Sequence, residues 1–279
     1  MDDAVVIGLG ELGGVFAHGL LRTGHRVIPV RRTDDPSAIA RDVPRPALVA
    51  ITVGEDDLAP VLRALPHTWH ESALLVQNEL LPRSWSSLHA PPTVAVVWFE
   101  KKKTTPIVPI LPTPVAGPRA ARVVDALRAL DVPCESIDEE ALPAALVGKN
   151  LYILTANLAG LAHGGTASSS RRGQPPTVGA SSRRGQPPTV GVSPTVGELW
   201  TTHRAHAEAV AREVLALQSA LLGAPVDVDA RLADLGRAIE ADPKHGARGR
   251  TAPARLARAL RHADELGVDV PTLRALPKG

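Results

Sequence analysis

Short apolar runs alternate with amphipathic stretches through the first half of the chain. The runs at 5–7, 27–30, 48–53, 73–77 and 94–99 are rich in Val, Ile and Leu and read as buried strands. Between them, positions 12–21 and 58–65 carry apolar residues at helical spacing, with Pro60 expected in the first turn of the second helix. A helix over 118–130, opening on Pro118, and a strand over 132–137 continue the alternation. Such a pattern predicts a doubly wound, mostly parallel α/β sheet. Past Glu139 the strand signals stop. Val210, Val214, Leu217 and Leu221, then Leu232, Leu235 and Ile239, then Leu256, Leu260 and Ala263 recur at helical spacing. The expected division is a sheet domain over 1–138 and an all-helical domain over 139–279, with a ligand cleft between them.

One segment follows neither period. The string SSRRGQPPTVG occupies 169–179 and recurs letter for letter at 181–191, and a fragment, Pro194-Thr195-Val196-Gly197, follows. With no apolar periodicity and five prolines between Gly164 and Gly197, it cannot build a core. Residues 167–196 are therefore expected to be a disordered tandem-repeat insert between two helices.

Composition narrows the function classes. Of 279 residues, 44% are apolar, enough for a real core, but only 3% are aromatic, which leaves little for a stacking platform on single-stranded nucleic acid. The 31 basic residues nearly balance 29 acidic ones, so neither a nucleic-acid nor a membrane partner is implied. A single cysteine, Cys134, excludes an internal disulfide and a cysteine-based zinc site, and reads as a small buried apolar residue. The acidic start Met1-Asp2-Asp3 lacks the grammar of a signal peptide, and no run approaches the ~18 apolar residues of a membrane span, so a cytoplasmic protein is expected.

The sharpest motif is Gly8-Leu9-Gly10-Glu11-Leu12-Gly13, which follows the first strand and opens the first helix. In that context GxGxxG is a Rossmann-type dinucleotide turn: Gly8 for the bend, Gly10 for close approach of a pyrophosphate, Gly13 for helix-on-strand packing. The amides and dipole of the helix N-terminus attract the phosphates. The second strand ends Val30-Arg31-Arg32-Thr33, where binders of NAD carry an acid for the ribose 2′-hydroxyl. Two guanidiniums there suit a 2′-phosphate and favour NADP(H), with Asp34 and Asp35 keeping NAD as the rival.

Two further residues carry candidate chemistry. Asn78 follows the fourth strand, and ligands of such sheets sit at carboxyl strand ends, so it is expected beside the nicotinamide. Lys149 is expected in the first turn of a buried helix, where an ammonium reaches the cleft; Asn157 returns to nearly the same face ~12 Å along. Other features read as structural. Tyr152 is expected in the core and Lys101-Lys102-Lys103 in a solvated turn. His203 and His206, with His163 and Glu198 nearby, lack a metal-binding signature, and no metal is expected.

Together the glycine turn, Gly24-His25-Arg26-Val27 leading into Arg31, Gln77-Asn78, and Lys149 with Asn157 resemble the ketopantoate reductase (2-dehydropantoate 2-reductase) family over most of the chain outside the repeats. The resemblance implies that Lys149 is the proton donor, that Asn78 assists at the active site, that Arg31 meets the 2′-phosphate of NADPH, and that Asn157 binds substrate. The chain departs from the family pattern in four places. Glu79 stands where Gln-Asn is followed by glycine, and Ile153 where a second asparagine is expected. A lysine is missing from Ile51-Thr52-Val53-Gly54, and Ala252 replaces a glutamate after Thr251.

The expected function is hydride transfer from NADPH to a small keto acid, with Lys149 donating the proton and Arg250 or Arg255 meeting a substrate carboxylate. Arg250 is the first choice for that contact. A homodimer is expected by analogy with other helical second domains. Two rivals remain: an enzyme like the β-hydroxyacid dehydrogenases and imine reductases, against which Gln77-Asn78 argues, and a non-catalytic NADP-binding sensor, motivated by the missing residues.

Overall fold

The structure, a computed structural model, describes residues 1–163 and 193–278. Its first half runs β1 (Asp3–Ile7), α1 (Glu11–Arg22), β2 (Arg26–Val30), α2 (Pro36–Asp42), β3 (Leu48–Ile51), α3 (Glu55–Ala64), β4 (Ala73–Leu75), β5 (Thr93–Ala95), β6 (Phe99–Glu100), β7 (Val108–Pro109), β8 (Thr113–Ala116), α4 (Ala120–Arg128) and β9 (Cys134–Ser136). The seven-stranded sheet has the order β2-β1-β3-β4-β5-β8-β9. All neighbours are parallel except β5 and β8, and β6 and β7 form a separate hairpin. This is the doubly wound Rossmann-like arrangement, with the order of strands reversing between β1 and β3.

Strand parity divides the core in two. Val5, Ile7, Val49, Ile51, Ala73 and Leu75 point to one face and join the helical half in a continuous core. Ala4, Val6, Leu48, Ala50, Leu74 and Val76 point to the other, where Phe16 and Leu20 of α1 and Leu127 of α4 cover them. Central strands buried on both faces read as unbroken apolar runs, which is why they were legible. Pro29 is tolerated because β2 is an edge strand. On the second face α1 and α4 meet so closely that a Cβ at Gly19 would lie 2.3 Å from the Ala126 carbonyl oxygen.

The second half is helical: α5 (Leu142–His163), α6 (Val196–Thr202), α7 (Arg204–Leu222), α8 (Val228–Ala241), α9 (Ala252–Leu266) and α10 (Pro271–Arg274). The 22 residues of α5 are apolar nearly all round, the mark of a central helix, and α6, α7, α8 and α9 pack about it. Glycines in the left-handed conformation, Gly223 and Gly267, stop α7 and α9. Among the described residues no helix is long and apolar enough to cross a membrane.

Several boundaries differ from expectation. Pro60 is the sixth residue of α3, not in its first turn, because Gly54 begins that helix and Glu55, Asp56 and Asp57 fill the dipole-favoured first turn. Strand β8 was not anticipated, and α4 opens two residues after Pro118. The repeats, and the expected insert over 167–196 as far as residue 192, lie outside the described residues. Its last residues belong to the fold: Thr195 caps α6 through a capping box with Glu198 and bridges to Gly246, and Val196 opens that helix.

The α1–α4 contact generates a stability prediction remote from any site. Gly19→Ala should force the two helices apart at a cost of roughly 1–3 kcal/mol, read as a lowered midpoint in urea. An unchanged midpoint would contradict the close approach.

Candidate active site

The glycine turn is built by three constraints. Gly8 adopts a positive φ of 91°, and a Cβ at Gly13 would lie 2.0 Å from the Gly8 carbonyl oxygen, so helix α1 sits directly on the turn. The Thr52 hydroxyl, at the end of β3, donates toward the carbonyls of Ile7 and Gly8 and pins the turn from the other side. At Gly10, by contrast, a Cβ would meet no heavy atom within 4 Å. That open side faces a crevice of about 740 Å³ across the carboxyl ends of β1, β2 and β3. An open glycine at a helix N-terminus, over a crevice at the point of strand reversal, fits the pyrophosphate of a dinucleotide. Leu9 is half exposed beside it, and Glu11 and Leu12 begin the helix.

Arg31, Arg32 and Asp34 also line this crevice. The Arg32 guanidinium pairs with Asp57 at 2.9 Å, whereas the exposed Arg31 side chain has no ion pair among the described residues. The two nearby acids are engaged locally: Asp34 accepts the Arg31 backbone N–H at 2.8 Å, and Asp35 caps α2 through the Ser37 N–H at 2.9 Å.

Lys149 lies in the interior of α5, not in its first turn, and only 7% of it is exposed. The helix starts about two turns earlier than expected because Pro143 occupies its second position, where proline is at home. The ammonium sits over the ring of Trp98, 4.2 Å from its centroid, with Tyr152 at 5.7 Å. Burial, reinforced by the positive charge of Arg255, pushes the Lys149 amine from 10.5 down to about 7. Tyr152 is a core residue whose buried hydroxyl has no hydrogen-bond partner among the described residues, and burial raises its pKa.

Beside this lysine runs an ion network that sequence reasoning did not anticipate. Glu79 accepts from Arg255 at 2.7 Å and from Arg258 at 2.6 Å and 2.9 Å through its two oxygens. Glu55 accepts from Arg255 at 3.4 Å and from the Asn78 amide at 3.5 Å, linking Asn78 to the same cluster. Gln77 serves structure: its amide donates to the carbonyls of Ile51 and Val53 and holds the ends of β3 and β4 together. Asn157 is buried against the loop before α9, with its Oδ1 2.7 Å from where a Gly249 Cβ would lie. Arg250 is exposed; the buried guanidinium is that of Arg255. Of the expected residues, the structure gathers Lys149 and Asn78 around Arg255 and sets Arg250 outside. Neither the 740 Å³ crevice nor a second cavity of about 270 Å³ beneath Glu79 is lined by Lys149.

The remaining sequence features are structural. Cys134 is buried, and burial raises its thiol pKa. Lys101 donates to the carbonyls of Lys102 and Thr105 within its turn. His163 and His203 stack at 3.8 Å, with His206 edge-on at 5.1 Å, while Glu198 is engaged in its capping box.

No protein-family profile and no curated protein sequence matches the chain. Solved structures do. A PanE/ApbA family ketopantoate reductase from Ralstonia eutropha is 21% identical, with a TM-score of 0.63 over 98% of this chain and 95% of that one. A 2-dehydropantoate 2-reductase from Methylococcus capsulatus is 15% identical, with a TM-score of 0.61 over 98% and 94%. A D-mandelate dehydrogenase in complex with NADH is 11% identical, with a TM-score of 0.61 over 98% and 95%. The chain has the fold of these proteins.

The buried amine makes stability depend on pH in a defined direction. Between about 7 and 10.5 the unfolded chain holds a proton on Lys149 that the folded chain does not, so this residue raises stability with increasing pH across that window. Below it the folded chain must bury the charge. Lys149→Met should therefore be more stable than the parent at pH 6 and lose part of the rise toward pH 10, measured by urea denaturation; equal pH dependence in the two proteins would refute the burial.

Proposed function

We propose that the protein is an NADPH-dependent reductase of a small keto acid, with Lys149 as proton donor. The observation that carries this reading is the placement of a buried amine with a pKa near neutrality on the same carboxyl edge of the sheet as a glycine turn open toward a crevice. Its fold, shared with ketopantoate reductases and a D-mandelate dehydrogenase, supports the same class.

When bound, NADPH supplies the hydride. This chain's residues do the rest. Gly8, Gly10 and Gly13, with the amides that open α1, would hold the pyrophosphate, and Arg31 the 2′-phosphate. Asn78 would orient the carbonyl or the nicotinamide from the end of β4. Lys149, as ammonium, donates its proton to the oxygen that becomes the alcohol; a donor with a pKa near the working pH is the efficient one. The face of Trp98 steadies that ammonium, and Arg255 favours its release of the proton. Arg255 replaces Arg250 as the guanidinium for a substrate carboxylate, which must exchange with Glu55 or Glu79 to bind.

A specific observation keeps the sensor reading in play: Arg255 is already satisfied by two carboxylates, and neither cavity reaches Lys149. Oxidation of NADPH across a panel of 2-keto acids, 3-hydroxy acids and cyclic imines decides between them. Turnover of 2-keto acids supports the reductase; tight NADPH binding without turnover of any member supports the sensor.

Two variants test the assigned roles. Lys149→Ala should lower kcat roughly 10²–10⁴-fold while leaving NADPH affinity nearly intact, and equal losses in both would sink its role. Arg31→Ala should weaken NADPH binding by about 10-fold or more and leave NADH binding unchanged, as followed by nicotinamide fluorescence; parallel losses would remove Arg31 from the 2′-phosphate.

A further inference from the structure

A cluster of histidines lies at the other edge of the sheet. His67 and His70 belong to the 3-10 turn His67–Ser72 that leads into β4, and His89 lies in the connection that leads into β5. Both connections enter the sheet at the amino ends of their strands, opposite the crevice. The three imidazoles lie 4.5–5.1 Å apart, centroid to centroid, and one nitrogen from each falls within 4.8 Å of the others.

We propose that His67, His70 and His89 form a binding site for a divalent transition metal of the zinc class. The tautomer of the central ring supports it. His70 is buried, and its Nε2 lies 3.2 Å from the Leu65 carbonyl oxygen, which requires the hydrogen on Nε2 and leaves Nδ1 as a lone pair. Donation of the second ring N–H to a backbone carbonyl is the usual support of a metal-bound histidine. Among the described residues Nδ1 accepts one hydrogen bond, from the His89 backbone N–H at 3.3 Å, which a metal ion would displace.

The turn that carries two of the ligands is fixed in advance. The Trp69 indole donates to the Val43 carbonyl at 2.9 Å and the Ser72 hydroxyl to that of Pro46 at 2.7 Å, so the turn is tied down on either side of His70. His67 and His89 are exposed and able to turn. Zinc–nitrogen bonds of ~2.0–2.1 Å bring tetrahedral nitrogens to roughly 3.4 Å from one another, a closure the two exposed rings supply. Three imidazoles and no carboxylate select zinc, cobalt, nickel or copper over magnesium and calcium. The fourth position opens to solvent. A metal here would clamp the connection before β4 to the connection before β5, so its effect is on stability, far from Lys149.

The test uses the full, untagged chain stripped with a chelator. Calorimetric titration with Zn²⁺ should give one ion per chain with micromolar or tighter affinity. His67→Ala and His89→Ala remove exposed side chains, so both should fold. Each should weaken binding by more than the roughly 10–100-fold that loss of an outer partner costs. His203→Ala, in the separate cluster at the end of α5, should bind as the parent does. Zinc at 100 times its dissociation constant should raise the parent's Tm by roughly 5–10 °C and leave the His89→Ala Tm unmoved. Absence of saturable binding at micromolar zinc, parent-like binding by both variants, or a loss confined to His203→Ala would each overturn the proposal.

Discussion

A carboxylate shared by two guanidiniums holds the halves of the molecule together beside the buried Lys149. Glu79 follows β4 of the sheet; Arg255 and Arg258 stand three apart on α9 and so share one face of it. Their side chains are 16%, 6% and 12% exposed, so all three ions have left most of their water. Such a cluster is tolerable only when its members satisfy one another, and both oxygens of Glu79 do receive N–H donors. Removing Glu79 would leave the Arg255 guanidinium to Glu55 at 3.4 Å and that of Arg258 to the exposed Asp56 at 2.7 Å, weaker compensation for two charges that have left most of their water.

The electrostatics of the site follow from that bond. Arg255 is held where its charge opposes that of Lys149, and the same contact draws in Glu55 and, through it, Asn78. The Glu79 carboxylate thus occupies the place where a small residue would leave room, and the helical half is tied to the sheet at the lip of the proposed active site. Under the proposed function an anionic substrate would compete with Glu79 and Glu55 for Arg255, and its binding would loosen the junction between the sheet and the helices, because one set of guanidiniums would serve both.

What could be read from the sequence had local causes. Strands β1, β3 and β4 are buried on both faces and appear as unbroken apolar runs; the turn at Gly8 needs its glycines within six residues; α5 is apolar all round. What escaped had distant ones. Glu79 meets Arg255 across 176 residues and Arg258 across 179, and nothing in either local pattern marks the pairing. Lys149 lies well inside α5 and not in its first turn, because Pro143, at the second position of that helix, is the stronger start signal. Of the histidine cluster, the spacing of His67 and His70 was visible, but His89 joins them only because two connections meet at the amino edge of the sheet.

The turn after β2 shows the same lesson for charge. By composition Arg31-Arg32-Thr33-Asp34-Asp35 is ambiguous between a ribose hydroxyl and a ribose phosphate. Its geometry is less so. A short acid in a turn is captured by backbone N–H groups a few residues away, and both acids here are held that way, one by Arg31 and one by Ser37. Their oxygens serve the backbone of the turn and the start of α2. Asp57, from the first turn of α3, neutralises Arg32, which leaves Arg31 as the guanidinium at the rim without an ion pair among the described residues. The proposed preference for a phosphate therefore rests on one arginine and on what its neighbours are bound to, and not on the count of charges along the strand.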